Sequence, residues 1–218
     1  MEDLVAESLN SHPQPLPRAE SRPAERHDAF PLTDIQQGYL IGRHKGLELG
    51  GVSSHYFFEF DGPALDAPRL TAALGRVVER HDMLRAVTDA DGAQRVLAET
   101  PPYAIAVTDL RDVSDAERDE ALARVRAELE NQVLPSGSWP LFDIRATHLP
   151  DQRTRLHVSV DLLFVDVRSL LLVLAEWRRF YDDPAWSPAP LDHTFRDHVL
   201  AERELRDSPA GRRAADYW

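Results

Sequence analysis

The sequence predicts an α/β chain of the α+β sandwich kind, with helices packed against a mixed sheet. Three features carry that prediction: β-prone runs alternating with period two, longer runs with apolar residues at helical spacing, and turn residues between paired strands. With 218 residues, 43% of them hydrophobic, the chain can bury a sizeable core.

Residues 1–27 are polar, with Pro13, Pro15, Pro17 and Pro23 set among Ser, Glu and Arg, a composition that predicts a flexible leader. Within it, residues 1–9 carry the pattern of a short helix, either a docking contact for another protein or part of an unstructured tail. The folded body is expected over residues 28–218. Thr33 is placed to cap a helix over 34–42, with Leu32 before it to staple the first turn. His55 to Phe60 is aromatic and β-prone and ends at Asp61-Gly62-Pro63, a strand followed by a turn. Leu70, Leu74, Val77, Val78 and His81 recur at helical spacing over 66–80. Residues 84–88 and 94–97 flank Asp91-Gly92 and predict a hairpin.

A strand is expected over 103–110. Ser114 with Glu117 forms a capping box opening a charged, exposed helix to about Val133. Residues 142–148 and 154–163, parted by Pro150-Asp151, predict a second strand pair. A helix over 167–181 follows, with Leu170, Leu174, Trp177 and Tyr181 at helical spacing. Pro184, Pro188 and Pro190 mark a linker before helices over 194–206 and on to Trp218. A large aromatic closing the chain suggests a boundary within a longer polypeptide.

Composition excludes several classes. A net charge of −12, from 37 acidic and 25 basic residues, argues against nucleic acid or an anionic membrane as the main partner. No cysteine is present, which removes disulfides, thiolate metal sites and a cysteine nucleophile. The first residues lack a signal-peptide pattern, and the longest apolar run, 170–175, is too short to span a bilayer, so a cytoplasmic protein is expected. The nine histidines show no metal-ligand spacing, and no phosphate-binding glycine loop occurs.

The richest segment is 156–166. Strand alternation puts Leu156, Val158, Val160 and Leu162 on one face and His157, Ser159 and Asp161 on the other, a pattern that backs onto core and fronts a cleft or an interface. A serine-hydrolase arrangement fails there, because same-face strand neighbours stand about 6–7 Å apart and no G-x-S-x-G elbow exists. Asp161 and Asp166 remain as candidates. Asp166 suits a helix cap and Asp161 an arginine ion pair; alternatively, two carboxylates flanking a loop at a cleft do acid–base work if burial raises a pKa.

At this point the motifs resemble a known family. Phe30-Pro31-Leu32-Thr33-Asp34-Ile35-Gln36-Gln37-Gly38-Tyr39 with Gly42-Arg43 resembles the opening motif of nonribosomal peptide synthetase heterocyclization domains. Arg80-His81-Asp82-Met83-Leu84-Arg85 resembles the R-H-x-x-L-R motif of all condensation domains, and Trp139-Pro140-Leu141-Phe142 a further family segment. Asp161 and Asp166 match D-x-x-x-x-D, followed by an S-x-x-x-L-x-x-E helix with Ser169, Val173 in the leucine position, and Glu176. Where ordinary condensation domains carry H-H-x-x-x-D-G, Asp161 replaces the first histidine, Leu162 the second and catalytic one, and Val167 the glycine.

The resemblance implies the N-terminal lobe of a chloramphenicol-acetyltransferase-like fold, in which two lobes face each other across a tunnel. Phosphopantetheine arms of peptidyl or aryl carrier proteins enter that tunnel from opposite ends, and no cofactor is bound directly. The implied reaction joins an upstream acyl thioester to carrier-bound Cys, Ser or Thr, then cyclodehydrates the product to a thiazoline or oxazoline. Asp161 and Asp166 are its implied catalytic residues, with Asp166 alternatively holding the loop by an ion pair. The second lobe is absent from the stretch that the resemblance covers, which predicts little activity for the chain alone and self-association through its exposed lobe face. The competing reading is a naturally partial, non-catalytic module that binds a carrier protein or recruits a tailoring enzyme.

Overall fold

A computed structural model describes residues 19–89 and 91–217, so the expectation for residues 1–9 lies outside the described residues. Among the described residues six helices pack with two sheets, the mixed α/β architecture that the sequence predicts. The larger sheet runs β2 (His55–Pro63), β7 (Arg153–Asp161), β6 (Phe142–Leu149), β5 (Ala106–Asp109); β5 is parallel to β6 and the other pairs are antiparallel. The smaller sheet, β1 (Phe30–Pro31), β4 (Ala93–Val96), β3 (Ala86–Thr88), is antiparallel throughout.

Turn chemistry fixes the hairpins. Gly92 has φ of 78°, a conformation that glycine adopts without steric cost. Between β6 and β7, Asp151 and Gln152 both take positive φ (58° and 53°), the two-residue geometry whose twist matches that of antiparallel strands. The strand expected over 103–110 shortens to β5 because Tyr103 turns its side chain inward, where its hydroxyl accepts from the Ile144 amide at 2.7 Å. Burial there pushes the Tyr103 phenol up to about 12.

Helices α2 (Ala67–Arg80) and α4 (Val167–Asp182) cover one face of the larger sheet. Leu74, Val77, Leu170 and Trp177 meet Ile144, Val158 and Val160 in the main core, each large apolar side chain contributing about 1.5–3 kcal/mol on full burial. The Trp177 indole donates to the Leu70 carbonyl at 3.0 Å, so its one polar atom is satisfied in that core. The opposite face carries α3 (Asp115–Glu130), opened by the predicted Ser114–Glu117 capping box. Although α3 is mostly exposed, Leu129 is fully buried, and Arg126 and Glu128 pair with Glu59 and Arg145 of the sheet.

That placement corrects one expectation. His157, Ser159 and Asp161 do not front an open cleft, since all three are buried. His157 is fully enclosed, with Nδ1 2.8 Å from Glu59 and Nε2 3.0 Å from Thr147. Strand periodicity told which residues share a face, while the cover that α3 lays over that face is a tertiary fact.

The polar leader, expected to stay flexible through residue 27, engages the body from Ser21 onward. Arg22 pairs with Glu204, Arg26 with Asp82, and His27 Nδ1 lies 3.0 Å from the Val96 carbonyl. The carboxylates and carbonyls of the body hold a segment whose composition supplies almost no apolar surface. The chain then passes through α1 (Asp34–Gly42), later a proline-bearing linker, and finally α5 (Phe195–Asp207) and α6 (Pro209–Tyr217).

Candidate functional site

β7 ends at Asp161, and residues 162–166 form the loop that leads into α4. The Asp161 carboxylate is buried. Its Oδ2 accepts from the Arg43 guanidinium, an ion pair, and from the Ser53 hydroxyl at 2.5 Å; its Oδ1 accepts from the Leu163 amide at 2.9 Å. Arg43 also donates to the Leu134 carbonyl at 2.5 Å. Asp161 therefore ties three separate chain segments to the start of the loop. With both oxygens bonded inside the protein, it is arranged to hold backbone.

Asp166 stands at the other end of the loop in a different environment. It is exposed, caps α4, and its Oδ1 accepts from the Ser169 amide at 2.7 Å. The bonds from Ser169 hold its carboxyl below the usual range, with Arg168 adding to the effect, so Asp166 is a carboxylate at neutral pH. The two aspartates thus bracket one loop without sharing a site. One is sealed in the wall, while the other faces a cleft of about 1020 Å3.

The cleft opens between α1, the turn after α2, the 162–166 loop, α4 and the segment before α5. Ile35, Tyr39, Phe164, Asp166, Leu172 and Phe195 are among its lining residues. Ile35 is 69% exposed and Leu172 51%, so much of the apolar lining faces outward.

The sequence motifs meet around this cleft. Glu176 of α4 accepts from Arg80 Nε at 3.0 Å and sits 2.7 Å from His81 Nε2, which clamps α4 to the end of α2. Arg85 donates to the Val78 and Glu79 carbonyls at 2.5 and 2.6 Å and to Asp82 at 2.9 Å, satisfying the end of α2. In R-H-x-x-L-R the charged residues are therefore fasteners that set where the cleft walls stand.

Sequence reasoning passed over two buried amides. Gln36 and Gln94 exchange hydrogen bonds at 2.8 and 2.9 Å; Gln36 also donates to the Leu163 carbonyl at 2.9 Å, and Gln94 to the Pro31 carbonyl at 2.9 Å. Gln36 additionally accepts from the Thr33 amide at 3.0 Å, closing a capping box. A signal existed in the Thr33-x-x-Gln36 spacing. Glu59 was overlooked as well, and its signal was a lone acid within an aromatic strand.

The rejection of a serine triad holds, because His157 bonds Thr147 and Glu59 instead of Ser159. The chain Thr147–His157–Glu59 has triad order but is shut off from substrate, with Thr147 and His157 buried under the sheet and α3. Among the described residues no group of three or more His, Cys, Asp and Glu is placed to hold a metal ion, and no helix is long and apolar enough to cross a membrane.

The sequence pattern of the condensation domain matches residues 26–218. The chain belongs to the condensation-domain family. Its relatives include synthetases. Pyochelin synthetase PchF of Pseudomonas aeruginosa is 39% identical over 213 residues, 97% of this chain and 12% of that protein. Phenyloxazoline synthase MbtB of Mycobacterium tuberculosis is 35% identical over 89% of this chain and 14% of its own length.

Among solved structures, the EpoB cyclization-docking bidomain of Sorangium cellulosum superposes with a TM-score of 0.89 at 35% identity, covering all of this chain and 43% of that one. The condensation-domain lobe thus spans a small part of its curated relatives and under half of that bidomain. It is the N-terminal lobe of the condensation-domain fold, as its motifs predict, and it is similar to the cyclization bidomain of EpoB.

Proposed function

We propose that this lobe forms one wall of the reaction cleft of a heterocyclization domain, in which an upstream acyl thioester is joined to carrier-bound Cys, Ser or Thr and the product loses water to give a thiazoline or oxazoline. The observation that carries the reading is the exchange at the 161–167 loop. Leu162, which cannot move a proton, occupies the position where a condensation domain has its catalytic histidine, while the carboxylate of Asp166 faces the cleft. The named activity of the phenyloxazoline synthase and the cyclization domain of EpoB support the same reading.

In this reading the two aspartates divide the work. Asp166 is the group that meets substrate, placed by its cap at the start of α4, where its carboxylate stays ionised and stabilises the positive charge that builds on the attacking group as the amide forms and the ring closes. Asp161 is a positioning residue that fixes the loop through Arg43 and Ser53. Substrates arrive on the phosphopantetheine arms of peptidyl or aryl carrier proteins, and the cleft needs a second lobe to become a tunnel that excludes water. The lobe by itself then has little activity, and its exposed Ile35, Leu171 and Leu172 favour self-association.

The test is heterocycle formation from carrier-bound substrates by a domain containing both lobes, with Asp166→Asn as the variant. Asparagine keeps the cap but not the charge. Product formation should fall by about a hundredfold or more, the ordinary scale for losing one group that stabilises transition-state charge. A wild-type rate would overturn the assignment of Asp166.

A further inference from the structure

The wall of the cleft made by residues 191–207 is fastened unusually. The buried residues of α5 are Arg196, Asp197 and Val199, so two of its three anchors are charged. They are 7%, 3% and 2% exposed. The apolar support is small: Val199 and Phe195 meet Phe30, Val96 and Met83. A helix anchored by buried charges depends on whatever pairs with them, because an unpaired buried charge is strongly unfavourable.

One partner is local, the Thr194 amide donating to Asp197 at 2.9 Å in the cap of α5; the others lie in one short segment at the start of the body. Glu25 pairs with Arg196 at 2.8 Å, and Asp28 lies 4.0 Å from the same guanidinium. The Arg22 amide donates to Asp197 at 3.2 Å, its guanidinium pairs with Glu204 at 3.3 Å, and the Ser21 hydroxyl donates to the Asp192 carbonyl at 2.7 Å. The other end of the segment is clasped to the opposite wall. Arg26 grips Asp82 with three hydrogen bonds of 2.7–3.0 Å, and Asp82 is held in turn by Arg85. Arg26 and Asp82 line the cleft, as do Leu191, Thr194 and Phe195.

We infer that residues 21–28 are a strap across the cleft margin, with Arg26 as the positioning residue that fixes the 191–207 wall against the R-H-x-x-L-R turn. The strap crosses the cleft margin through these polar bonds, which act beside the small apolar contact of Phe195 and Val199 with Met83 in setting the spacing of the two walls. A pull on the chain before Ser21 acts on α5 through Glu25 and Arg22, which makes the strap a route by which whatever precedes it alters the cleft. This holds whatever reaction the cleft serves.

Amide hydrogen exchange of the whole chain tests the strap without reference to product formation. Arg26→Ala leaves Asp82 paired with Arg85, so the core is expected to persist. Exchange within residues 195–207 should quicken by about tenfold or more, while β6 and β7 keep their protection. Arg26→Lys, a point charge in place of a fork, should fall between the two. Glu25→Gln removes an exposed partner of Arg196 and should loosen the same residues, which keeps the test open if Arg26→Ala fails to fold. Unchanged exchange in 195–207 would overturn the inference, and so would an equal rise there and in β6 and β7.

Discussion

Asp161 and Arg43 form a buried ion pair at the point where β7 gives way to the cleft loop, with the Ser53 hydroxyl on the same carboxylate oxygen. The first aspartate of the D-x-x-x-x-D pattern is therefore an anchor. Asp161→Ala leaves Arg43 buried without its counter-charge and should cost about 3–5 kcal/mol. Urea unfolding of the chain measures it. Replacing both partners, Arg43→Met with Asp161→Leu, should recover most of that loss, since no buried charge is then left alone; a double variant as unstable as Asp161→Ala would refute the pairing argument.

Asp166 separates cap from charge. Asp166→Ala should lower stability by about 1 kcal/mol through loss of the cap, whereas Asp166→Asn should change it by a few tenths, because asparagine caps about as well. Thermal unfolding of the two variants decides between them, and equal losses would show that the charge, not the cap, stabilises α4.

Gln36 is the residue whose loss should surprise most on sequence grounds. Gln36→Leu strips partners from the Leu163 carbonyl, the Gln94 amide and the Thr33 amide at once. Each buried unpaired group costs about 1–3 kcal/mol, so a drop of at least about 2 kcal/mol is expected in denaturant unfolding.

Acid should weaken the fold through His157. Burial lowers its pKa below the ordinary value of about 6.5, although Glu59 opposes that shift. The unfolded chain then takes up the proton first, so this contribution to stability is complete above about pH 6.5 and is lost as the pH falls below it. Burial would raise the Glu59 carboxyl, but Arg126 and His157 outweigh it and hold the pKa down. Its contribution is present above the unfolded value of about 4.3 and is lost at lower pH, in the same direction. In His157→Gln the decline starting near pH 6.5 should shrink while the lower one remains, as followed by unfolding free energy against pH.

Much of this molecule was legible in its sequence, element by element. The caps at Thr33, Ser114, Asp66 and Thr194 stand at or within a residue of the expected helix starts, because a cap is a local bargain between a side chain and the next turn. The paired strands 142–149 and 153–161 follow from alternation and the turn between them. Both bland readings of the aspartates, an arginine ion pair for Asp161 and a helix cap for Asp166, are what the geometry contains. The motifs supplied the family.

Only the tertiary structure decided which face of β7 is covered, which arginine meets Asp161, and that Asp166 alone of the pair opens on the cleft. Arg43 is 118 residues from Asp161 and Glu59 is 98 from His157, distances over which no spacing rule operates. Local signals are written in neighbouring residues and survive without the fold. A buried charge takes its meaning from the partner that the fold delivers, and that delivery depends on how the sheet, α1 and the 21–28 segment pack together.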